Sequence, residues 1–504
     1  MHTIQLLLKT TEYDCQIIEK RFHAVSHVHN VLVKHAKKCL KRLNSDKEYL
    51  SKRAQYRTLL KKETLSKDER LLKKQLSDSL KVYLKRYDLS EYAFQAYIKI
   101  CAAQFRKCLS SQQIQKEATR VWQGTQKVLF SNGRDIHFKK FRNFDTIGGK
   151  TNTNGVKFHK DTLSVEWLGL ELKCKLPKED QYIIEALDAD ISYCEIKRMM
   201  FPNGWHYYVI VYLKGDAPRK ISKTGQADII TGVDIGTSTV ATVSDNKLTL
   251  KELAPKCEEY NKKIKKISRY LDNSKRVSNP NKYKPNGMID KNNRDRWFFS
   301  NTYLKNANKQ KTIYRKKAAY IKQSHESMIN ELLVDSVNFI IEDMNFQGLQ
   351  RRSKATKRQD TVSEIKQKDG EIKHIHKFKR KRRFGRSLNN RAPASFITIL
   401  NRKAILYGGC VYKVDTKNFR ASQYNHIEDN YVKMKLSDRC KYIGEHKVQR
   451  DLYSAFLLKN SNEELSGPDR DKCMYSFNKF LELQSKLINN MINNNVTMKQ
   501  CFGF

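Results

Sequence analysis

Three acidic residues stand where a carboxylate is either costly or well placed to do chemistry. In TGVDIGTSTVATV, residues 231–243, Asp234 interrupts apolar, β-branched runs around a Gly/Thr/Ser turn. An isolated ionised carboxylate among Ile and Val is expensive unless something pairs with it. Glu342 ends the apolar run VDSVNFIIEDMN, and Asp451 opens the apolar stretch RDLYSAFLLKN. Strand ends and helix starts on one sheet edge can converge, and carboxylates so gathered repel one another. Hard divalent cations offset that repulsion best. Two Mg²⁺ ions ~4 Å apart would activate water and stabilise the leaving oxygen of a phosphodiester. In that arrangement Asp234 bridges both ions, Glu342 and Asp451 each complete one shell, and Mn²⁺ can substitute. Each acid alone has an ordinary role. Asp234 could cap a β-turn. Of the alternating pair Glu342 and Asp343, one could simply be solvated. Asp451 could serve a helix dipole. Their order and context together carry the signal.

The elements that must position them read as a mixed α/β sheet. ADIITGVDIG, TVATVS and KLTLKEL are three consecutive strands. Basic helices follow from about Ala254 and between Trp297 and Leu333, parted by VSNPNKYKPNG. VDSVNFIIEDMN is a buried strand, RAPASFITILNRKAILYG an amphipathic helix and GCVYKVD a strand, and a last helix opens near Gln449. Three strands, a helix, a strand, a helix, a strand and a helix suit one layered sheet. Upstream, MHTIQLLLKT reads as a single strand, and residues 11–130 are helical and rich in Lys, Gln and Leu. From Ser131 to about Lys220 the chain becomes β-rich, with SNGRDIHFKKFRNFD, TLSVEWLGLELKCKL, DISYCEIKRMM and GWHYYVIVYLKG as short strands of a small barrel. Within it FKKFRNF interleaves Phe with Lys139, Lys140 and Arg142, which would let bases stack while phosphates are neutralised. An edge strand with a basic outer face explains the same pattern equally well.

The chain has 504 residues, enough for more than one domain, and 98 Lys plus Arg against 53 Asp plus Glu, a net charge of +45. Self-repulsion of that size calls for a polyanionic partner, and nucleic acid is the natural one. An acidic lipid surface is the plainer alternative. No run of ~18 apolar residues is present, and MHTIQLLLKTTEYD turns polar after Leu8, so neither a membrane span nor a signal peptide is expected. The 11 cysteines contain no CxxC pair, which favours reduced thiols in a cytoplasm. The densest cationic run, 377–386, carries Lys377, Lys379, Arg380, Lys381, Arg382, Arg383 and Arg386. It suits a phosphate clamp, or else a solvated basic loop. DIGTST also looks like the phosphate loop of the sugar-kinase and actin-like ATPase superfamily. That reading needs a second DxG-type motif and a Gly-rich adenosine site. Only Gly408–Gly409 offers itself, and a charge of +45 would have no role.

At these residues a family comes into view. GVDIGTSTVATVS, FIIEDMNFQGL and KVQRDLYSAFLLKN, in that order, resemble the three motifs of the RuvC-like nuclease domain of TnpB proteins. These are transposon-encoded relatives of compact type V CRISPR effectors. KFKRKRRFGRSLNNRAPASFITILNRKA, between the second motif and an amphipathic helix, is similar as well. The resemblance implies a multidomain α+β chain. A helical recognition insert lies within a β-barrel wedge domain, followed by an RNase H-like (RuvC) α/β nuclease domain. The implied boundaries are a first wedge strand at 1–10, the recognition helices at 11–130, the wedge barrel at 131–222, the nuclease at 228–460 and a helical tail at 461–504. It also implies Asp234, Glu342 and Asp451 as catalytic metal ligands, a guide RNA derived from the element end, and a double-stranded DNA target beside a short recognition motif. Base pairing would then read sequence while the protein grips the heteroduplex backbone. A cytoplasmic, nucleoid-associated bacterial protein with no membrane partner and no small-molecule substrate follows.

The sequence departs from the family at its zinc ribbon. Where the first CxxC pair should stand the chain reads ASQYNH, and only Cys440 lies near the second. One thiol and His426 are too few for a tetrahedral zinc site, so no zinc is expected. The insert at about 416–448 would instead be held by packing of Tyr424, Tyr431 and Tyr442. Tyr453 takes a place where the family often has Asn. Two other functions fit the same acids: a nuclease-inactive RNA-guided DNA-binding repressor, and an RNase H-like DNA transposase.

Overall fold

A computed structural model describes residues 1–62, 64–131, 133–176, 180–219, 225–350, 358–366, 371–378, 384–435 and 438–494. The chain divides into two compact units, Met1–Lys220 and Ile221–Phe504.

The first unit opens on β1 (His2–Leu8), which buries alternate residues, and runs into the long helix α1 (Glu12–Ser45). Thr11 caps α1 with its hydroxyl on the Asp14 N–H, while the Asp14 carboxylate returns to the Thr11 N–H, satisfying two otherwise orphaned donors. Helices α2 (Lys47–Leu60), α3 (Lys67–Arg86), α4 (Glu91–Cys101) and α5 (Ser111–Phe130) complete the helical portion. The strands are β2 (Thr146–Gly148), β3 (Val156–His159), β4 (Ser164–Trp167), β5 (Leu170–Lys175), β6 (Ile191–Phe201) and β7 (Gly204–Leu213), with α6 (Gln181–Leu187) between β5 and β6. They join β1 in one seven-stranded sheet, ordered β2-β6-β7-β1-β5-β4-β3. The sheet curls. Asn152 pairs its side-chain amide with the Phe158 backbone and accepts from the Cys194 thiol, drawing β3 towards β6.

No strand forms at 131–145 among the described residues, contrary to the sequence expectation. The segment is extended and then makes a single turn at Phe141–Asn143. The reason is Arg198, a fully buried guanidinium that collects the carbonyls of Phe144 (2.8 Å) and Phe141 (2.6 Å) and pairs with Glu19. It also stacks on the rings of Phe22, Phe141 and Trp205 at 4.3–4.5 Å. The segment is thus held along the Arg198 side chain rather than paired with a neighbouring strand.

The second unit contains β8 (Gln226–Ile235), β9 (Thr239–Val243), β10 (Leu248–Glu252), β11 (Ser336–Glu342) and, after a hairpin of β12 (Arg358–Lys366) and β13 (Ile372–Phe378), β14 (Val411–Val414). The main sheet is ordered β10-β9-β8-β11-β14. β8, β9 and β10 are antiparallel neighbours, whereas β11 runs parallel to both β8 and β14. The crossover from β10 to β11 is a pair of long helices, α7 (Cys257–Val277) and α8 (Asn301–Leu333). Short helices α9 (Phe346–Gln350) and α10 (Gly385–Arg391) precede α11 (Pro393–Leu406). One sheet face, through Val233, Phe339 and Ile341, packs on α8 and α11. The other, through Ala241, Ile340 and Val414, packs on α13 (Arg450–Lys459) and α14 (Arg470–Asn493). α13 is apolar almost all round because sheet and α14 enclose it. The stretch 461–504, expected as a tail, thus puts Cys473, Phe477, Phe480 and Met491 of α14 into this core.

The insert at 416–448 holds α12 (Thr416–Phe419) and two small hairpins, Tyr424–Asn425 with Asn430–Tyr431 and Cys440–Ile443 with His446–Gln449. Of the three tyrosines expected to hold it, Tyr424 is buried and meets Tyr431 ring to ring at 5.0 Å, but Tyr442 is 69% exposed and holds nothing. A strand alternates faces, and Ile443 takes the inward place beside it. The anchor is instead His426, wholly buried against Tyr453, Phe456 and Phe477, its Nδ1 2.7 Å from the Tyr453 hydroxyl.

Candidate active site

Parallel pairing of β8 and β11 aligns Val233 with Ile341, so the next residues along each strand, Asp234 and Glu342, emerge side by side on one face. That face is the one covered by α13. At Gly232, two residues before Asp234, the helix backbone touches the strand. An added Cβ would lie 2.0 Å from the Ala455 carbonyl oxygen and 2.5 Å from the Lys459 nitrogen. Asp451 lies one turn before Ala455, which brings its carboxylate to the same end of the sheet. The N-terminus of α13 is fixed by Gln449, whose side chain accepts from the Leu452 N–H at 2.7 Å while its own N–H is held by Gln484 of α14 at 2.8 Å.

The electrostatics mark the three as neighbours. Burial, then the Asp451 charge, then the Glu342 charge push the Asp234 carboxyl well above its usual range, and Arg450 and Arg439 act in the opposite sense. Burial also raises Glu342, against a hydrogen bond from the Ala421 backbone. Asp451 accepts from Arg450 at 2.9 and 3.1 Å and from Arg439 at 3.5 Å. Asp343, the neighbour of Glu342, is exposed and pairs with Lys413 at 3.1 Å, away from the cluster.

The donor set fits a hard divalent cation, because all of it is carboxylate oxygen, Asp234 carries the repulsion of the other two, and Glu342 is held in a buried place that disfavours its charge. As the side chains stand, no three acids, histidines or cysteines among the described residues converge into a ready ligand cage. Asp451 would have to turn from its arginines to join Asp234 and Glu342. Arg439, Arg450 and Gly232 escaped the sequence reading. Only Gly232, a glycine inside a β-branched run, left a signal there, that of close backbone approach.

The cationic residues divide. Arg386 is exposed on α10, and the neighbouring Ser387 hydroxyl donates to the Thr237 carbonyl at 3.0 Å, three residues past Asp234. The basic run therefore ends against the turn that follows β8, where Arg386 itself pairs with Glu258 at 3.5 Å. Lys377 lies in β13, and Lys379, Arg380, Lys381, Arg382 and Arg383 fall outside the described residues. Lys139, Lys140 and Arg142 are exposed in the first unit, with Lys139 over the Phe144 ring at 5.3 Å. Two of the three interleaved aromatics are not free to stack on bases, since Phe144 is buried and Phe141 is packed on Arg198, whereas Phe138 is exposed with Lys37 over its ring at 5.7 Å.

No family model matches the chain, and no curated protein does. Among solved structures it is similar to a Cas12f1 in a cryo-EM complex with sgRNA and target DNA, at 12% identity and a TM-score of 0.40, covering 92% of this chain and 99% of that one. A CRISPR-Cas12f ternary complex gives 12% identity, a TM-score of 0.25 and coverage of 91% and 99%. Likenesses this weak assign neither fold nor activity, which rest on the residues themselves. No helix among the described residues is long and apolar enough to cross a membrane.

Proposed function

We propose that the chain is a Mg²⁺-dependent, RNA-guided DNA endonuclease of the TnpB type, with an RNase H-like nuclease unit. The observation that carries the reading is the pairing of Asp234 and Glu342 on adjacent strands beneath the helix that bears Asp451, where burial raises both and the charges of Asp451 and Glu342 raise Asp234 further. The strand order of the second unit, with its first strand central and antiparallel to its second, supports an RNase H-like sheet. The +45 charge supports a guide RNA and a DNA target as partners. Asp234, Glu342 and Asp451 would hold two Mg²⁺ ions, which supply Lewis-acid activation of water and charge neutralisation at the phosphodiester. Arg386, next to the residue that contacts the turn after Asp234, would leave its pairing with Glu258 to grip a phosphate of the strand to be cut. The sgRNA and target DNA of the Cas12f1 complex agree with this reading.

Sequencing the RNA that purifies with the protein from cells carrying its flanking DNA is the test. One discrete species, plus Mg²⁺-dependent cutting of complementary DNA that Asp234→Ala, Glu342→Ala and Asp451→Ala each abolish, is expected. Random RNA and cutting only of element ends would replace this with the transposase reading. One observation favours a second possibility, a guided DNA-binding protein that does not cut: Asp451 is already neutralised by two arginines. Discrete RNA and target binding without cleavage would establish it.

A further inference from the structure

The loop 278–300 joining α7 to α8 turns the usual burial preferences inside out. Lys282 is 3% exposed, while Phe298 is 65% exposed. A buried ammonium is tolerated only when its donors are met. Lys282 Nζ donates to the Asn293 carbonyl (3.1 Å), the Asn293 side-chain oxygen (2.7 Å) and the Asp295 carbonyl. Asn279, also buried, donates to the Phe298 carbonyl at 2.9 Å and accepts its N–H at 2.7 Å. The Phe298 backbone is thus gripped from both sides. Its neighbours turn inward: Trp297 carries Lys275 over its ring at 4.0 Å, and Phe299 stacks on Tyr303 at 4.6 Å.

The outside of this braced loop is cationic. Lys291, Arg294 and Arg296 are exposed and have no hydrogen bond or ion pair among the described residues. The acids nearby are Asp290, opposite Lys284 at 4.0 Å, and Asp295. The loop therefore spends a buried lysine and a network of side-chain hydrogen bonds to hold an aromatic face in water between free cations. Duplex nucleic acid offers such a surface only phosphates, because its base faces are stacked away. An unpaired strand offers both a base face and its flanking phosphates.

We propose that this loop is a base-stacking finger for an unpaired DNA strand, with Phe298 against a base and Lys291, Arg294 and Arg296 on the adjoining phosphates. The choice of DNA rests on the proposed function, in which guide pairing leaves one DNA strand unpaired. α7, 21 residues and so about 30 Å long, would carry the finger well away from the acids.

The test is fluorescence anisotropy of the full chain with labelled oligo(dT), oligo(U) and duplex DNA of equal length, in EDTA and at salt high enough to suppress phosphate-only binding. Phe298→Leu should weaken oligo(dT) roughly 5- to 150-fold, as loss of base–aromatic stacking would, with little change for the duplex. Phe298→Tyr should restore binding, since a tyrosine ring stacks equally well. Wild-type affinity in Phe298→Leu, an equal loss for the duplex, or a loss confined to oligo(U) would each overturn the proposal. Phe298 is exposed, so neither substitution threatens folding. The readout needs no cleavage, and its failure would leave the nuclease reading standing, just as failure to cut would leave the finger standing.

Discussion

Gly232→Ala tests the mechanical link between the sheet and its acids. The added methyl carbon would begin 2.0 Å from the Ala455 carbonyl oxygen, and ordinary contact starts at 3.4 Å. Both close neighbours are backbone atoms of α13, so no side chain can swing aside. Either β8 or α13 must retreat by about 1.4 Å. Overpacking of this kind costs roughly 1–3 kcal/mol. Its functional cost should be larger, because Asp451 rides on the same helix one turn from Ala455. A misplacement of ~1 Å in a catalytic constellation can cost on the order of 100-fold in rate. Single-turnover cleavage of a guide-matched target, with thermal unfolding of the same preparation, reads both quantities. The expected outcome is a folded variant, modestly less stable, with cutting reduced on the order of 100-fold. Wild-type cleavage and stability together would mean that α13 does not seat on Gly232, and the account of how Asp451 reaches Asp234 would fail.

The raised carboxyl of Asp234 makes a prediction about stability without metal. A carboxyl that holds its proton more tightly folded than unfolded favours the fold at low pH, and that advantage is lost as pH rises through the folded value. Asp234→Asn should therefore melt higher than the wild type in EDTA at neutral pH, with the gap closing towards pH ~4; Mg²⁺ should raise the wild-type melting temperature and not the variant's, and equal pH profiles would refute the repulsion. His426 titrates in the opposite sense, since burial lowers it to about 4. Stability present above the ordinary histidine value near 6.5 should be lost as pH falls towards 4, by roughly 3 kcal/mol. His426→Gln, which can keep a bond to the Tyr453 hydroxyl, should flatten that part of the urea-unfolding profile; an unchanged slope would assign it to other groups.

The main sheet of the second unit was legible because its strands are β-branched and bounded by turns, and a carboxylate inside such a run is hard to explain without a partner. TGVDIG, FIIEDMN and RDLYSAFLL each announced an element and its acid. Pairing was not legible. Nothing local to Val233 or Ile341 says that they share a register, yet that register sets Asp234 beside Glu342. The same gap misread 131–145. Phe interleaved with Lys is a strand pattern by periodicity, and only Arg198, more than fifty residues on, shows that Phe141 and Phe144 give their carbonyls and rings to a buried cation. Buried charge defeated the reading again at Lys282, one of several lysines in an apparently solvated turn. Composition places a cation outside by default, and only the acceptors supplied by Asn293 and Asp295 bring it in. The tyrosines of the insert show the complement. Alternation turns Tyr442 out and Ile443 in, so three similar residues in one short segment have different fates. Chemistry at single positions can be read along a chain, but what brings the positions together is decided by partners far away in sequence. Glycine 232 is where the two kinds of information meet: a small residue in a strand that wants large ones, left small because the backbone of α13, more than two hundred residues later, has to lie against it.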